Sequence, residues 1–371
     1  MSKFNTVYAE SDEWTGVAKY CADQLLDEGI EDATLGFLYT TEPLSNDLSS
    51  ILTYLRQTTG IPHWVGAAGM GICVNSEEIF DRSAAAVMIT DLPEDQFRVF
   101  PTISETLESV PGELTSWMGQ KEPTFGIVHA DPRNSKTPHL VQNLAEISNS
   151  FLVGGLTSTR NGSFQIANEV TSGGVSGVLF APEIQVSTGL SQGCVPVGKT
   201  HIVSDSIDNV IIGLDGEKAI DVFKDDIGEL LSRDLSRVAG YIHAAMPIEG
   251  SDTGDYMVRD LVGIDPSMGW LAIGGDIQVG DRVMFVRRDP DSTQEDLVNK
   301  VEIIKNRLNG MIRGAIYYSC IARGANMFGE EGRELALIQE CLGDIPLIGY
   351  YAGGEFSNAR LYTYTGVLTL F

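Results

Sequence analysis

Basic residues and cysteine motifs are scarce in this 371-residue sequence. Lys and Arg total 25 against 51 Asp and Glu, the formal net charge is −26, and no basic cluster interrupts it. A field of this sign repels nucleic acid phosphates and anionic lipid headgroups, so we expect neither as a partner. The five cysteines are scattered and never form Cys-x-x-Cys. This argues against a disulfide framework, a zinc finger or a redox pair, and it favours reduced thiols in a cytoplasm.

Several other signatures are missing. The five histidines form neither His-x-x-x-His nor His-Glu-x-x-His, so we do not expect zinc catalysis. Cys-x-x-Cys-His, which would indicate covalent haem, and the phosphate-binding Gly-x-x-x-x-Gly-Lys-Ser/Thr loop are also absent. No apolar run is long enough to span a bilayer, and residues 1–14 lack the basic and apolar regions of a secretory signal. We therefore expect a cytoplasmic protein without a membrane segment.

The sequence does contain one pattern three times. Each copy has an apolar run, an amphipathic segment, a second apolar run that leads into glycine, and a third apolar run; the copies begin near Ala33, Thr124 and Gly314. Self-similarity of this kind is a signal about the whole fold. Each third strand follows its glycine loop too closely for a helical crossover, which predicts mixed β-sheets flanked by helices in a mixed α/β fold. The pattern aligns Tyr39, His129 and Cys320 as equivalent positions.

The length predicts two domains rather than one core. We place a helical cap at residues 1–31, a first domain at 32–215 and a second at 216–371. Two short strands around 201–213 form a β-ribbon near this boundary. In the second domain, three apolar runs between residues 256 and 286 predict a meander of three strands.

Six stretches of the sequence form a characteristic set: Val65-Gly66-Ala67-Ala68-Gly69, Gly154-Gly155, and residues 192–198, 209–216, 319–324 and 346–355. Together they resemble the FIST family, whose N- and C-terminal domains occur in prokaryotic signal-transduction proteins and in certain eukaryotic F-box proteins. The resemblance implies a sensory module for small ligands, with amino acids as a candidate class, and some members resemble haem-based nitric-oxide sensors. No kinase, cyclase or receiver segment is visible, so a sensed signal is expected to pass to a partner protein.

Ligands in sheet proteins of this kind bind where strands end, because backbone N–H groups and helix N-termini converge there. A carboxylate at Glu355 suits a ligand amine, and Arg323 with Asn326 suits a ligand carboxylate. The alternative is that the glycines only shape turns and that Glu355 pairs with Arg323. The predicted ligand-binding residues are Gly66, Gly69, Gly154, Gly155, Cys320, Arg323, Asn326, Gly353, Gly354 and Glu355.

Two other chemistries stay open at this point. Cys320 is either a nucleophile or a buried structural thiol, and His129, at a strand end, is the most suggestive axial ligand for a haem. No complete acid–base or nucleophile constellation is visible, which favours binding over catalysis. The first hypothesis is therefore a cytoplasmic small-ligand sensor that binds in a cleft between the two domains. The alternatives are a haem-based gas sensor or an enzyme that uses the same cleft, and a protein-interaction scaffold.

Overall fold

The computed structural model describes residues 3–29, 32–107, 110–235, 238, 240–248, 255–308 and 310–371. Backbone contacts divide the chain into two compact units. The larger one combines Met1–Gln192 with Gln294–Phe371, and the smaller one is Gly193–Thr293.

The larger unit consists of three copies of one strand–helix order. Each copy has an outer strand, a helix, a central strand, a second helix, a strand parallel to the central one, a hairpin, and a last strand antiparallel to the central one. The first copy comprises β1 (Phe4–Glu10), α1 (Trp14–Glu28), β2 (Leu35–Thr41), α2 (Leu48–Thr59), β3 (His63–Gly69), the hairpin β4 (Gly71–Val74) and β5 (Glu77–Phe80), and β6 (Ala84–Thr90).

The second copy repeats this order without interruption. Its elements are β7 (Phe97–Ile103), α3 (Gly112–Lys121), β8 (Phe125–Ala130), α4 (Thr137–Ser148), β9 (Phe151–Leu156), the hairpin β10 (Gln165–Ala167) and β11 (Glu169–Thr171), and β12 (Val175–Phe180). The third copy opens with β13 (Ser187–Gln192), and along the chain the smaller unit follows that strand.

The smaller unit is an antiparallel barrel. Its elements are β14 (Cys194–Pro196), β15 (His201–Ile207), β16 (Val210–Leu214), β17 (Glu217–Lys218), α5 (Ala219–Ser232), β18 (Ile242–Pro247), β19 (Tyr256–Asp265), β20 (Trp270–Ile273) and β21 (Arg282–Arg288). Six strands close the ring in the order β21-β15-β16-β20-β19-β18 and back to β21. Residues of α5, among them Phe223, pack against Phe285 and the other apolar side chains of the strands.

The third copy then resumes. Its elements are α6 (Pro290–Arg307), β22 (Ala315–Cys320), the short α7 (Ala325–Phe328), α8 (Arg333–Leu342), β23 (Leu347–Ala352), the hairpin β24 (Glu355–Ser357) and β25 (Arg360–Tyr362), and β26 (Thr365–Leu370). Three related units with mixed sheets flanked by helices are therefore present, as the sequence predicted.

Each copy forms a six-stranded mixed sheet, but its hairpin pairs with the sheet of another copy. The hairpin β10–β11 of the second copy pairs with β3 of the first, β24–β25 of the third pairs with β9 of the second, and β4–β5 of the first pairs with β23 of the third. The exchange closes a cycle through all three copies. None of the three sheets is therefore complete without a neighbouring copy.

The outer face of each sheet is covered by two helices of its own copy. Val17, Cys21 and Leu25 of α1 recur at helical spacing and pack with α2 against the first sheet. The helices α3 and α4 cover the second sheet in the same way, and α6 and α8 cover the third.

The pairing registers define which residues are equivalent. Tyr39 stands opposite Ala67, His129 opposite Gly155, and Tyr318 opposite Tyr350. In each copy this pair comes one position after the pair that contains a glycine of the parallel strand, which is Gly66, Gly154 or Gly349. The predicted equivalence of Cys320 with Tyr39 and His129 is therefore wrong by two residues. The shift arose because the third copy is longer between these positions: Gly349 follows Tyr318 by 31 residues, whereas Gly66 follows Tyr39 by 27 and Gly154 follows His129 by 25.

Two other predictions differ from the structure. Residues 4–10, placed in the helical cap, form β1, which pairs along its whole length with β6. The meander is also incomplete: β19 pairs with β20, but β21 pairs with β18, β15 and β14. The β-ribbon near residue 201 is confirmed as β15 and β16.

Candidate ligand site at the ends of the parallel strands

Three glycines hold the parallel strands close together. A Cβ atom at Gly66, Gly154 or Gly349 would lie 1.9, 1.8 or 1.6 Å from a carbonyl oxygen of the neighbouring central strand, so no side chain fits there. Gly66 and Gly154 also have φ of +156° and +147°, which L-residues rarely adopt. These two predicted site residues, together with Gly349, thus have a role in strand pairing that is sufficient to explain them.

The other predicted glycines meet where the strands end. A Cβ atom at Gly155 would lie 2.6 Å from Ala352 Cβ and 2.9 Å from the hydroxyl of Tyr350, and one at Gly69 would lie 3.0 Å from the Tyr350 ring. The Leu156 N–H donates to the Gly354 carbonyl at 2.8 Å, and the Gly353 N–H donates to the Leu156 carbonyl at 3.0 Å. The strand ends of all three copies therefore converge in the larger unit, and Tyr350 and Ala352 fill the space between them.

Equivalent residues of the three copies form a buried polar cluster beside this point. The Tyr39 hydroxyl is hydrogen-bonded to His129 Nε2 at 3.0 Å and to the Tyr318 hydroxyl at 2.9 Å, and all three side chains are buried. Burial lowers the pKa of His129 to about 3, so its imidazole is neutral. Its other nitrogen, Nδ1, has no hydrogen-bond partner.

The surroundings of His129 do not fit a haem. The rings of Tyr39, Tyr318 and Tyr350 lie 5.5, 6.2 and 6.1 Å from the imidazole, centroid to centroid, and Nε2 already contacts a hydroxyl. A porphyrin needs an open face beside its axial ligand, and these rings occupy that face. We therefore place no haem iron at His129.

Glu355 is fully buried and only half satisfied. Its Oε2 accepts hydrogen bonds from the Thr365 N–H at 3.3 Å and the Thr365 hydroxyl at 2.7 Å, whereas Oε1 has no partner. Burial raises the pKa of this carboxyl to about 8, although Thr365, the charge of Arg323 and the Cys320 thiol lower it in part. At neutral pH the Glu355 carboxyl is therefore largely protonated.

Cys320 is a buried thiol rather than an activated nucleophile. Burial, reinforced by the nearby Glu355 carboxylate, raises its pKa to about 12. Catalysis by a cysteine requires the thiolate, which this environment disfavours.

Arg323 forms an ion pair, but with a partner that the sequence did not reveal. Its Nε lies 2.7 Å from Oε1 of Glu334, and both side chains are buried. The remaining N–H groups donate to the hydroxyl and carbonyl oxygens of Ser191 at 3.3 and 3.5 Å and to the carbonyl oxygen of Tyr364 at 3.5 Å. Burial opposes the positive charge, but the neighbouring Glu334 outweighs it and raises the pKa of Arg323. With these donors in use, Arg323 is poorly placed to bind a ligand carboxylate in this conformation.

The predicted residues thus divide into two groups. Cys320, Arg323 and Glu355 lie close together with the glycines of the strand ends, whereas Asn326 is exposed on α7. The sequence pattern did not identify Glu334, Tyr39, Tyr318 or Tyr350. Only the equivalence of the three copies, applied at the correct register, would have drawn attention to the two central-strand tyrosines beside His129.

The comparisons with known proteins identify the family of this chain. The FIST N domain matches residues 34–217 and the FIST C domain matches residues 219–358, so the chain belongs to the FIST family, whose domains are small-ligand sensory modules. An uncharacterized protein of Mycobacterium tuberculosis is 28% identical over 329 residues, 83% of each chain. An uncharacterized protein of Mycobacterium bovis is 27% identical over 367 residues, 94% of each chain.

No helix in the described ranges combines the length and the apolar character needed to cross a lipid bilayer.

Proposed function

We propose that this chain is a cytoplasmic sensor of a small ligand, with amino acids as the first class to test, and that the ligand binds around Gly155. One observation carries the proposal: within the part of the chain that the structure describes, three buried polar atoms near this residue have no hydrogen-bond partner, namely Glu355 Oε1, Tyr350 Oη and His129 Nδ1. Buried polar groups are almost always satisfied, and each exception calls for an explanation. A ligand that supplies the missing partners is such an explanation.

The sheet register supports the grouping of these atoms. His129 and Glu355 stand directly opposite Gly155, one on each neighbouring strand, so both side chains project to the same face as the missing side chain of Gly155. The Tyr350 hydroxyl points to that same position, 2.9 Å from where a Cβ atom would lie. A ligand ammonium group would favour the ionised form of Glu355, which would release its proton on binding and pair with that group, and the ligand's polar remainder would contact Tyr350 and His129.

Ligand entry requires the strand ends to separate, because Tyr350 and Ala352 occupy the space beside Gly155. The Ser158 hydroxyl links the strand ends: it accepts a hydrogen bond from the Met70 N–H at 2.9 Å and donates to the Tyr351 carbonyl. These three residues come from three different copies. We propose that ligand binding breaks this bridge and that the resulting change is transmitted to a partner protein. The free cysteines of the described chain are in keeping with a reducing cytoplasm.

A thermal-shift screen with the twenty amino acids tests the proposal. A ligand that binds only the native state at about 100 times its Kd stabilises the fold by about 2.7 kcal/mol, so at least one compound should raise the Tm clearly. The shift should disappear in Glu355→Gln and weaken in Tyr350→Phe. Asn326→Ala is the matched control, because Asn326 was predicted from sequence yet lies on the surface, and it should respond as the wild type does.

Two results would contradict the proposal. One is a screen in which no amino acid changes the Tm of the wild-type protein. The other is a ligand-induced shift that persists undiminished in Glu355→Gln.

A further inference from the structure

A second group of acidic residues lines an open cleft elsewhere in the larger unit. The cleft has a volume of about 430 Å³ and lies between the β4–β5 hairpin of the first copy and the start of α8. Six charged side chains border it: Glu77, Glu78, Arg82, Glu330, Glu331 and Arg333. None of them belongs to the group around Gly155.

The two arginines do not neutralise the acids of the cleft. Arg82 lies 2.7 Å from Glu10, and Arg333 lies 2.6 Å from Glu340, so each is already paired with a carboxylate outside the cleft. The four glutamates of the cleft form no ion pair within the part of the chain that the structure describes. The cleft thus presents an excess of negative charge on a chain whose net charge is already −26.

Glu78 differs from the other three glutamates because it is 2% exposed. Within the described residues neither of its carboxylate oxygens has a hydrogen-bond partner at normal distance and angle, although the Tyr351 hydroxyl and the Gly332 N–H lie near enough to lower its pKa. Burial, together with the charges of Glu334 and Glu331, raises the pKa of Glu78 to about 7, and Tyr351 and Gly332 lower it in part. A buried carboxylate that borders an open cleft, and whose oxygens have no hydrogen-bond partner among the described residues, is placed to receive a ligand donor.

We propose that this cleft is a second ligand site, which binds a small organic cation through a primary ammonium group held by Glu78. An ammonium group has three N–H donors and a full charge, which matches the two unpartnered oxygens of Glu78. Glu330 and Glu331 at the rim favour a ligand with a second positive charge, such as an aliphatic diamine. A metal ion is a poorer fit, because among the described residues no group of three or more His, Cys, Asp or Glu is placed to hold one.

Isothermal titration calorimetry with 1,4-diaminobutane near pH 7 tests this site, with potassium chloride at equal ionic strength in every cell. The wild type should bind the diamine, and Glu78→Gln should weaken binding by at least about tenfold, since a charge-assisted contact is lost. Glu169→Gln is the matched control: it removes the same charge from an exposed position on β11, outside the cleft, and it should change the affinity by less than about threefold.

Proton release provides a readout that a purely structural role would not produce. Because Glu78 is partly protonated near pH 7 and a bound cation favours its carboxylate, binding should release a fraction of a proton, measured from the heats in buffers of different ionisation enthalpy. The release should vanish in Glu78→Gln. Should that variant fail to fold, the double variant Glu330→Gln, Glu331→Gln decides instead, and it should weaken binding by about threefold or more.

Three results would overturn the proposal: no measurable binding of the diamine to the wild type, equal losses in Glu169→Gln and Glu78→Gln, or an unchanged affinity in the rim double variant. Glu355→Gln separates this site from the proposed sensor site. That variant should bind the diamine as the wild type does, and a loss of binding there would also contradict a second, independent site.

Discussion

Glu334 and Glu355 are both fully buried glutamates of the third copy, yet their surroundings are opposite. Glu334 accepts hydrogen bonds from Tyr317 at 2.5 Å, Ser319 at 3.0 Å and Arg323 at 2.7 Å. One oxygen of Glu355 accepts hydrogen bonds from Thr365, and the other has no hydrogen-bond partner in the part of the chain that the structure describes. Burial alone therefore does not identify a functional carboxylate. The saturated glutamate is explained by the fold, whereas the unsaturated one is the residue for which we propose a ligand.

The largest expected effect on stability comes from breaking the buried ion pair between Arg323 and Glu334. Arg323→Met leaves the Glu334 carboxylate buried without its cation, and removal of one partner of a buried ion pair typically costs about 3–5 kcal/mol. Urea denaturation should show a loss of that size in the free energy of unfolding. Arg333→Met is the matched control, because it breaks the partly exposed pair with Glu340 and should cost less than about 1 kcal/mol. Similar losses in the two variants would remove the distinction drawn for Glu334.

The unsaturated glutamate, Glu355, should instead make the free energy of unfolding depend on pH. The pKa of Glu355 is raised to about 8 in the folded protein, above its value in the unfolded chain. Its contribution to stability is therefore fully present below about pH 4.5 and is lost as the pH rises towards 8, by about 3 kcal/mol between pH 5.5 and 8.5. Glu78 acts in the same direction through its own raised pKa, so the informative quantity is the difference between wild type and Glu355→Gln.

That difference, measured from urea unfolding at several pH values, should increase in favour of Glu355→Gln as the pH rises. A constant difference across the range would mean that Glu355 is already ionised or already paired in the native protein.

The contrast between the two glutamates also marks the limit of sequence analysis. The apolar periodicities and glycine-terminated strands predicted the three copies, the mixed sheets and the helices α2 and α4, because these features follow from local patterns. The exchange of hairpins was not predictable, since it depends on which sheet edge each hairpin meets in space. The partner of Arg323 was missed for a similar reason: Glu334 lies in the first turn of an amphipathic helix, where an acidic residue is ordinarily a solvated one.

The register of strand pairing limited the prediction of the site residues in the same way. Cys320 and Asn326 were chosen by their position along the chain, whereas pairing of β22 with β23 selects Tyr318 as the residue equivalent to Tyr39 and His129. A shift of two residues keeps a side chain on the same face of a strand but moves it one level along the sheet. The sequence therefore located strand ends that converge in the structure, and the structure was needed to identify the side chains that meet there.

His129 is a buried base that can be compared with Glu355, because both residues stand opposite Gly155 in the sheet. Its pKa is lowered to about 3, so the folded protein resists protonation that the unfolded chain accepts near pH 6.5. The contribution of His129 to the free energy of unfolding is therefore fully present above about pH 6.5. It decreases as the pH falls, and at pH 4.5 about 2–3 kcal/mol has been lost. His129→Gln, which keeps a hydrogen-bonding group beside Tyr39 but does not titrate, should flatten this acid limb in urea unfolding experiments. An acid limb of unchanged slope in the variant would mean that His129 gains a partner for its Nδ1 in solution, and it would weaken the grouping of unsatisfied atoms around Gly155.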